Sequence, residues 1–99
     1  MPDDSPAPLT PPVRYRRIAL ETASDPYRLL TYARPSDRIV GYLGLCAPAP
    51  RSWRSIRAAA HLRQSSVHGL FLNLIRQQVI VRVRPGLYRL TEEVPCPHP

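Results

Sequence analysis

The sequence predicts a mainly α-helical domain closed by a small β-hairpin, an α+β fold of three helices and a two-stranded hairpin with a short N-terminal extension. Three observations carry that expectation. Apolar residues recur at helical spacing in three successive segments from Ser36 onward, and a serine stands at the start of each. Near Val79 the apolar period changes from about 3.6 to 2, as it must where a helix gives way to a strand. The alternation then runs through "VIVRVR" and resumes in "LYRLT" after Pro85-Gly86, a turn-forming pair.

The elements follow in order. Residues 1–12 hold five prolines and no apolar periodicity, so a disordered lead is expected, and "VPCPHP" at 94–99 reads as a similar tail. Residues 13–35 form the N-terminal extension, whose type stays open. Val13 and Tyr15 alternate with arginine as in a strand, Ile18 to Ala23 fit a helix, and Asp25-Pro26 is an N-cap and first-turn pair for a short helix ending before Arg34-Pro35. The main domain spans residues 36–93. Ser36 is the expected cap of its first helix, with Ile39, Val40, Tyr42, Leu43 and Cys46 on one face, and "APAPR" at 47–51 stops it.

Ser52 is expected to cap the second helix, "WRSIRAAAHL", with Trp53, Ile56, Ala59, Ala60 and Leu62 inward and Arg54, Ser55, Arg57 and Ala58 outward. After the short link Arg63-Gln64, Ser65 or Ser66 is expected to cap the third, whose buried stripe is Val67, Leu70, Phe71, Leu74 and Gln78. In the hairpin, Val79, Val81 and Val83 point one way and Ile80, Arg82 and Arg84 the other, around a turn somewhat wider than the two-residue minimum.

Size and charge bound the function. The chain has 99 residues and its 13 prolines gather in the ends and one loop, so the packed part is about 55–80 residues, small enough that a partner or a dimer would help it. The formal net charge is +7, and from Arg38 to Thr91 there are nine arginines and neither an aspartate nor a glutamate. A field of one sign attracts polyanions, nucleic acid ahead of an acidic protein or membrane surface. Lysine is absent, so part of the arginine content can reflect genome composition; the missing acids have no such explanation.

Other classes find little support. Cys46 and Cys96 have no metal-type spacing and no histidine cluster, and read as ordinary thiols of a reducing cytoplasm. No stretch approaches the roughly 20 apolar residues of a membrane span, and the proline-rich start is unlike a secretory signal. There is no glycine-rich phosphate loop and no nucleophile set, and the adjacent acids, Asp3-Asp4 and Glu92-Glu93, sit at the ends. An enzyme is not expected, nor a cofactor, a metal or a small-molecule ligand.

Residues 61–90, "HLRQSSVHGLFLNLIRQQVIVRVRPGLYRL", resemble the recognition-helix and wing segment of the winged helix-turn-helix domain in MarR- and IclR-type bacterial regulators. A leucine ends the second helix, a Ser-Val pair opens the third, and Tyr-Arg-Leu closes the wing; residues 36–91 fit the pattern. The resemblance implies that the start of the third helix enters the major groove. That would bring Arg63, Gln64, Ser65, Ser66 and His68 near base edges and phosphates, with Gly69, Asn73 and Arg76 on the outward face. Arg51 and Arg54 would hold the backbone, and Arg82, Arg84 and Arg89 would set the wing along a flanking phosphate track or in the minor groove.

Against each stands a plainer reading: the serines are caps, His68 is a boundary residue, and the wing arginines form a solvated face. Three departures from the pattern matter. Gly69 replaces a long basic side chain, Gln78 stands where a glycine commonly ends the helix, and Leu72 and Ile75 fall outside the buried stripe, where another protein surface could meet them.

The leading expectation is a small cytoplasmic, nucleoid-associated protein that binds double-stranded DNA as a regulator or DNA-organising factor. No ligand domain follows the wing, so partners, abundance or oligomerisation would regulate it. A homodimer would present two reading helices about 34 Å apart and call for a near-palindromic site. The alternatives are a winged-helix protein-interaction module docking through Leu72 and Ile75, and a single-stranded DNA or RNA binder using its tyrosines and Phe71 as stacking platforms.

Overall fold

A computed structural model describes residues 13–91, with the backbone alone described for Gln64 and Ser66. The expected lead, the tail and the pairs Asp3-Asp4 and Glu92-Glu93 lie outside the described residues, as does Cys96. Mainly helical, the chain carries a three-stranded antiparallel sheet and so belongs to the α+β class. Its order is α1 (Val13–Ser24), a 3-10 helix (Pro26–Thr31), α2 (Pro35–Cys46), β1 (Arg51–Ser52), α3 (Trp53–Ala59), α4 (Gln64–Arg76), β2 (Ile80–Arg84) and β3 (Leu87–Leu90).

The strand order is β1-β3-β2. β1 is an addition to the expected pair of strands. Two residues are too short for a visible alternation, and its pairing with β3, Arg51 opposite Tyr88 and Ser52 opposite Leu87, is set by tertiary contact.

The N-terminal segment is a layer of the same core. Tyr15, Ile18 and Ala19 are buried with Ile39, Val40, Leu43, Ile56, Ala60, Val67, Phe71, Leu74, Val79, Ile80 and Leu90 in one apolar cluster. The strand option at Val13 and Tyr15 fails because Tyr15, Ile18, Ala19 and Thr22 share one buried helical face. α1 lies so close on α2 that a Cβ on Gly44 would meet the Ala19 Cα at 2.7 Å and its carbonyl oxygen at 2.8 Å. Asp25 caps the 3-10 helix as its sequence suggests, its carboxylate accepting from the Tyr27 N–H at 3.2 Å.

Of the expected serine caps, Ser52 holds: its hydroxyl accepts from the Ser55 N–H at 3.2 Å. Ser36 does not cap. Pro35 takes the first position of α2, its ring presetting the helical φ, and the N-cap falls on Arg34, extended at φ −87° and ψ 134°. Neither Ser65 nor Ser66 is a cap, because α4 already starts at Gln64 with Arg63 as N-cap and no side-chain bond there.

The ends of α3 and α4 share one device. α3 stops at Ala59, short of the expected Leu62, with His61 at φ 55°. The His61 and Leu62 N–H groups bond back to the carbonyls of Ala58 and Arg57 at 3.3 and 3.0 Å. α4 ends alike: Gln78 has φ 64°, its N–H reaches the Ile75 carbonyl at 2.9 Å, and the Val79 N–H reaches Leu74 at 2.9 Å. Both are Schellman motifs with a side chain where glycine is usual. Gln78 is therefore exposed and outside the helix instead of part of the buried stripe.

An L residue in this region is strained by about 1–2 kcal/mol. Gln78→Gly is expected to stabilise the protein by up to about 1 kcal/mol, a rise of roughly 4–8 °C in Tm by calorimetry; an unchanged or lower Tm would show that the side chain compensates for its backbone.

The hairpin also differs from strict alternation. Val79 and Ile80 are both buried, since Val79 still belongs to the helix terminus, whereas Val83 is exposed. The turn is minimal: Arg84 faces Leu87 across Pro85-Gly86, with Gly86 at φ 84° as a type II turn requires. The irregularity lies inside β2, where the register shifts between Arg82 and Arg84.

Candidate nucleic-acid interface

Along α4 the residues Ser65, His68, Gly69, Leu72, Asn73 and Arg76 are all exposed. Their spacing of three and four places them on a single stripe opposite the buried Val67, Phe71 and Leu74. The structure thus brings most of the expected reading residues together. Gln64 and Ser66 contribute their backbone to the first turn. The stripe is shallow at its middle, for nothing lies within 4 Å of where a Gly69 Cβ would stand. Among the described residues, no neighbour requires glycine there.

Leu72 is 44% exposed on this stripe. Ile75 is not exposed as expected: it is half-buried, packed against the core cluster at the edge of the buried stripe.

On the sheet, Arg82 and Arg51 both face Tyr88 across its strand, one from each side. Directly paired residues share a face. Arg89 pairs with Val81 and by alternation belongs to the other face, where its guanidinium donates to the Leu90 carbonyl at 3.0 Å. The structure separates Arg89 from Arg82. Arg84, beyond the register shift, lies exposed beside the turn.

The arginines divide by what already engages them. Arg38 is structural: its guanidinium donates to the carbonyls of Ala60 at 2.7 Å, Tyr32 at 2.9 Å and Ala33 at 3.0 Å. The neighbouring Cys46 and Tyr42 side chains hold the Arg51 pKa above the ordinary value, Cys46 contributing most. Tyr42 is raised in turn, by burial first and then by Cys46. Arg54 and Arg57 both stand 5.6 Å from the Trp53 ring centroid.

The acids at described positions, Glu21, Asp25 and Asp37, all belong to the N-terminal layer. Two of them pair locally, Asp37 with Arg14 at 3.0 Å and Glu21 with Arg28 at 3.5 Å. Among the described residues, counter-charge is thus confined to the N-terminal layer between α1 and the start of α2, and α4 and the hairpin carry none.

Between α4 and the hairpin opens a cleft of ≈ 440 Å³ lined by Trp53, Val67, His68, Phe71, Arg82, Gly86 and Tyr88. Trp53 ties the start of α3 to the hairpin turn, its backbone N–H donating to the Gly86 carbonyl at 2.9 Å. Phe71 and Tyr88 pack with ring centroids 4.7 Å apart and planes tilted by 55°. Sequence reasoning placed Trp53 in the core and counted Tyr88 only among the tyrosines of the single-strand alternative, without joining it to Arg82. The missed signal was Tyr88 alternating with Leu87 and Arg89, which already put an aromatic ring on the face of Arg82.

Among the described residues there is no group of three His, Cys, Asp or Glu side chains able to hold a metal, and no helix long and apolar enough to cross a membrane. No protein-family model matches the chain, and neither the curated proteins nor the solved structures contain a match.

Proposed function

We propose that the protein is a winged-helix protein that grips double-stranded DNA, with the exposed stripe of α4 toward the major groove and the hairpin along a flanking phosphate track. The observation that carries this reading is the confinement of all acids at described positions to residues 13–37, while α4 and the hairpin carry exposed arginines with no carboxylate between Arg38 and Thr91. The order helix, strand, helix, helix, hairpin over residues 35–90 agrees with it. So does the stripe, where Asn73 can both donate and accept in the manner adenine requires and Arg63 and Arg76 bracket the helix with positive charge. Transcriptional regulation or DNA organisation in the cytoplasm belongs to the same proposal.

Exposed Leu72 favours a second reading, a protein-docking face on α4. Fluorescence anisotropy of labelled random duplex against salt decides between them, with single-stranded DNA as competitor. Duplex binding that weakens linearly in log affinity against log salt, and resists the single strand, supports DNA gripping. Absence of duplex binding at low salt overturns it and leaves the docking face; preference for single strands overturns the duplex reading in favour of strand binding.

A further inference from the structure

The cleft beside α4 has a chemistry that gripping a paired duplex does not call for. Phosphates are met by cations and N–H donors, and paired base edges by polar groups. Neither gains from an aromatic recess, yet Trp53, Phe71 and Tyr88 supply three of the seven lining residues. Phe71 is buried and closes the floor, while Trp53 and Tyr88 are only half-buried. Two exposed nitrogen-bearing side chains, His68 from α4 and Arg82 from β2, line the same cleft from its two walls. Arg54 and Arg57 add positive charge beside the Trp53 ring.

A flat π surface with cations at its margin complements a planar ring that carries an anionic group. The volume, ≈ 440 Å³, lies in the range of sites that enclose a small ligand, about 300–1,000 Å³. The geometry points to a nucleotide site: one unpaired nucleotide with its base against Trp53 and Tyr88 and its phosphate at Arg82 and His68. Such a nucleotide has two sources, a free mononucleotide or a residue unstacked from a DNA strand, as at a bulge. The strand-borne source rests on the duplex-binding reading, whereas the cleft's chemistry does not. Aromatic stacking supplies affinity without base identity, so the site senses that a base is unpaired more than which base it is.

Trp53 is the single tryptophan of the chain, so its emission reports on the cleft directly. The full chain is titrated with dTMP, with thymidine, and with three labelled duplexes: fully paired, carrying one bulged thymidine, and carrying an abasic bulge. Trp53 emission is read for occupancy and anisotropy for affinity. The expected results are quenching by dTMP at lower concentration than by thymidine, and affinity for the thymidine bulge at least about fivefold above the paired and abasic duplexes.

Tyr88→Leu is expected to remove the bulge preference while duplex binding persists. Arg82→Ala, an exposed position that tests the site without disturbing the floor, is expected to make dTMP and thymidine equivalent. Equal affinity for all three duplexes together with no quenching by dTMP overturns the site and leaves duplex binding intact. Quenching by dTMP with no binding of any duplex supports a mononucleotide site and overturns the duplex reading instead. Failure of every ligand overturns both.

Discussion

Gly44→Val is expected to lower the melting temperature of the protein markedly. The new Cβ would stand 2.7 Å from the Ala19 Cα and 2.8 Å from its carbonyl oxygen, and backbone cannot rotate away as a flexible side chain can. α1 and α2 must separate, opening the contacts of Tyr15, Ile18 and Ala19 with the rest of the core. Overpacking of this kind costs typically 1–3 kcal/mol, which for a domain this size corresponds to a Tm lowered by roughly 4–24 °C. Gly69→Ala is the internal contrast. It meets nothing within 4 Å and removes the helix-propensity cost of glycine, about 0.8–1.0 kcal/mol, so its Tm should rise. Calorimetry on the pair tests whether the N-terminal layer is structural: a Gly44→Val protein that melts like the parent would mean that α1 does not pack on α2 as described.

The second large effect concerns DNA. Arg82→Ala combined with Arg84→Ala is expected to weaken duplex binding on the order of 100-fold at low salt, two charge-assisted contacts at about 1.5 kcal/mol or more each. The slope of log affinity against log salt should become shallower by about 2. Both residues are exposed on β2, so the melting temperature should change little. A loss of affinity with an unaltered slope would mean that the hairpin touches something other than phosphate. Retained affinity would take the hairpin out of the interface altogether.

The legible parts of this fold were those decided by neighbouring residues. Asp25-Pro26 announces a helix start because an acceptor and a fixed φ suffice locally, and Ser52 does the same for α3. The apolar stripe of α4 and the switch into β2 follow from periodicity alone. Where two local signals competed the outcome was harder to see: Pro35 outranks Ser36 since a ring that presets φ starts the helix one residue earlier. The ends of α3 and α4 carried no glycine to mark them, and a left-handed backbone at His61 or Gln78 has no signature in the residue type.

Of the candidate site, the exposed stripe was readable from a helical wheel. The cleft was not, for it needs β1, a strand of two residues that exists only by pairing with β3, and that pairing brings Trp53 to the hairpin turn. Arg38 shows the limit of counting charges, since its guanidinium is spent on three carbonyls.

The strand order β1-β3-β2 leaves two edges. One is only two residues long, too short to template another chain. The other is β2, with Val81 and the exposed Val83 along it, a run of high β-propensity of the kind that recruits further strands into aggregates. Arg82 and Arg84 interrupt that run with like charges that repel a second copy brought alongside. On the DNA-gripping proposal, the hairpin's arginines would therefore have a second duty, discouraging strand addition by another copy. The two duties would be compatible because they would never be needed together: a polyanion that neutralised the charges would also cover the edge they guard.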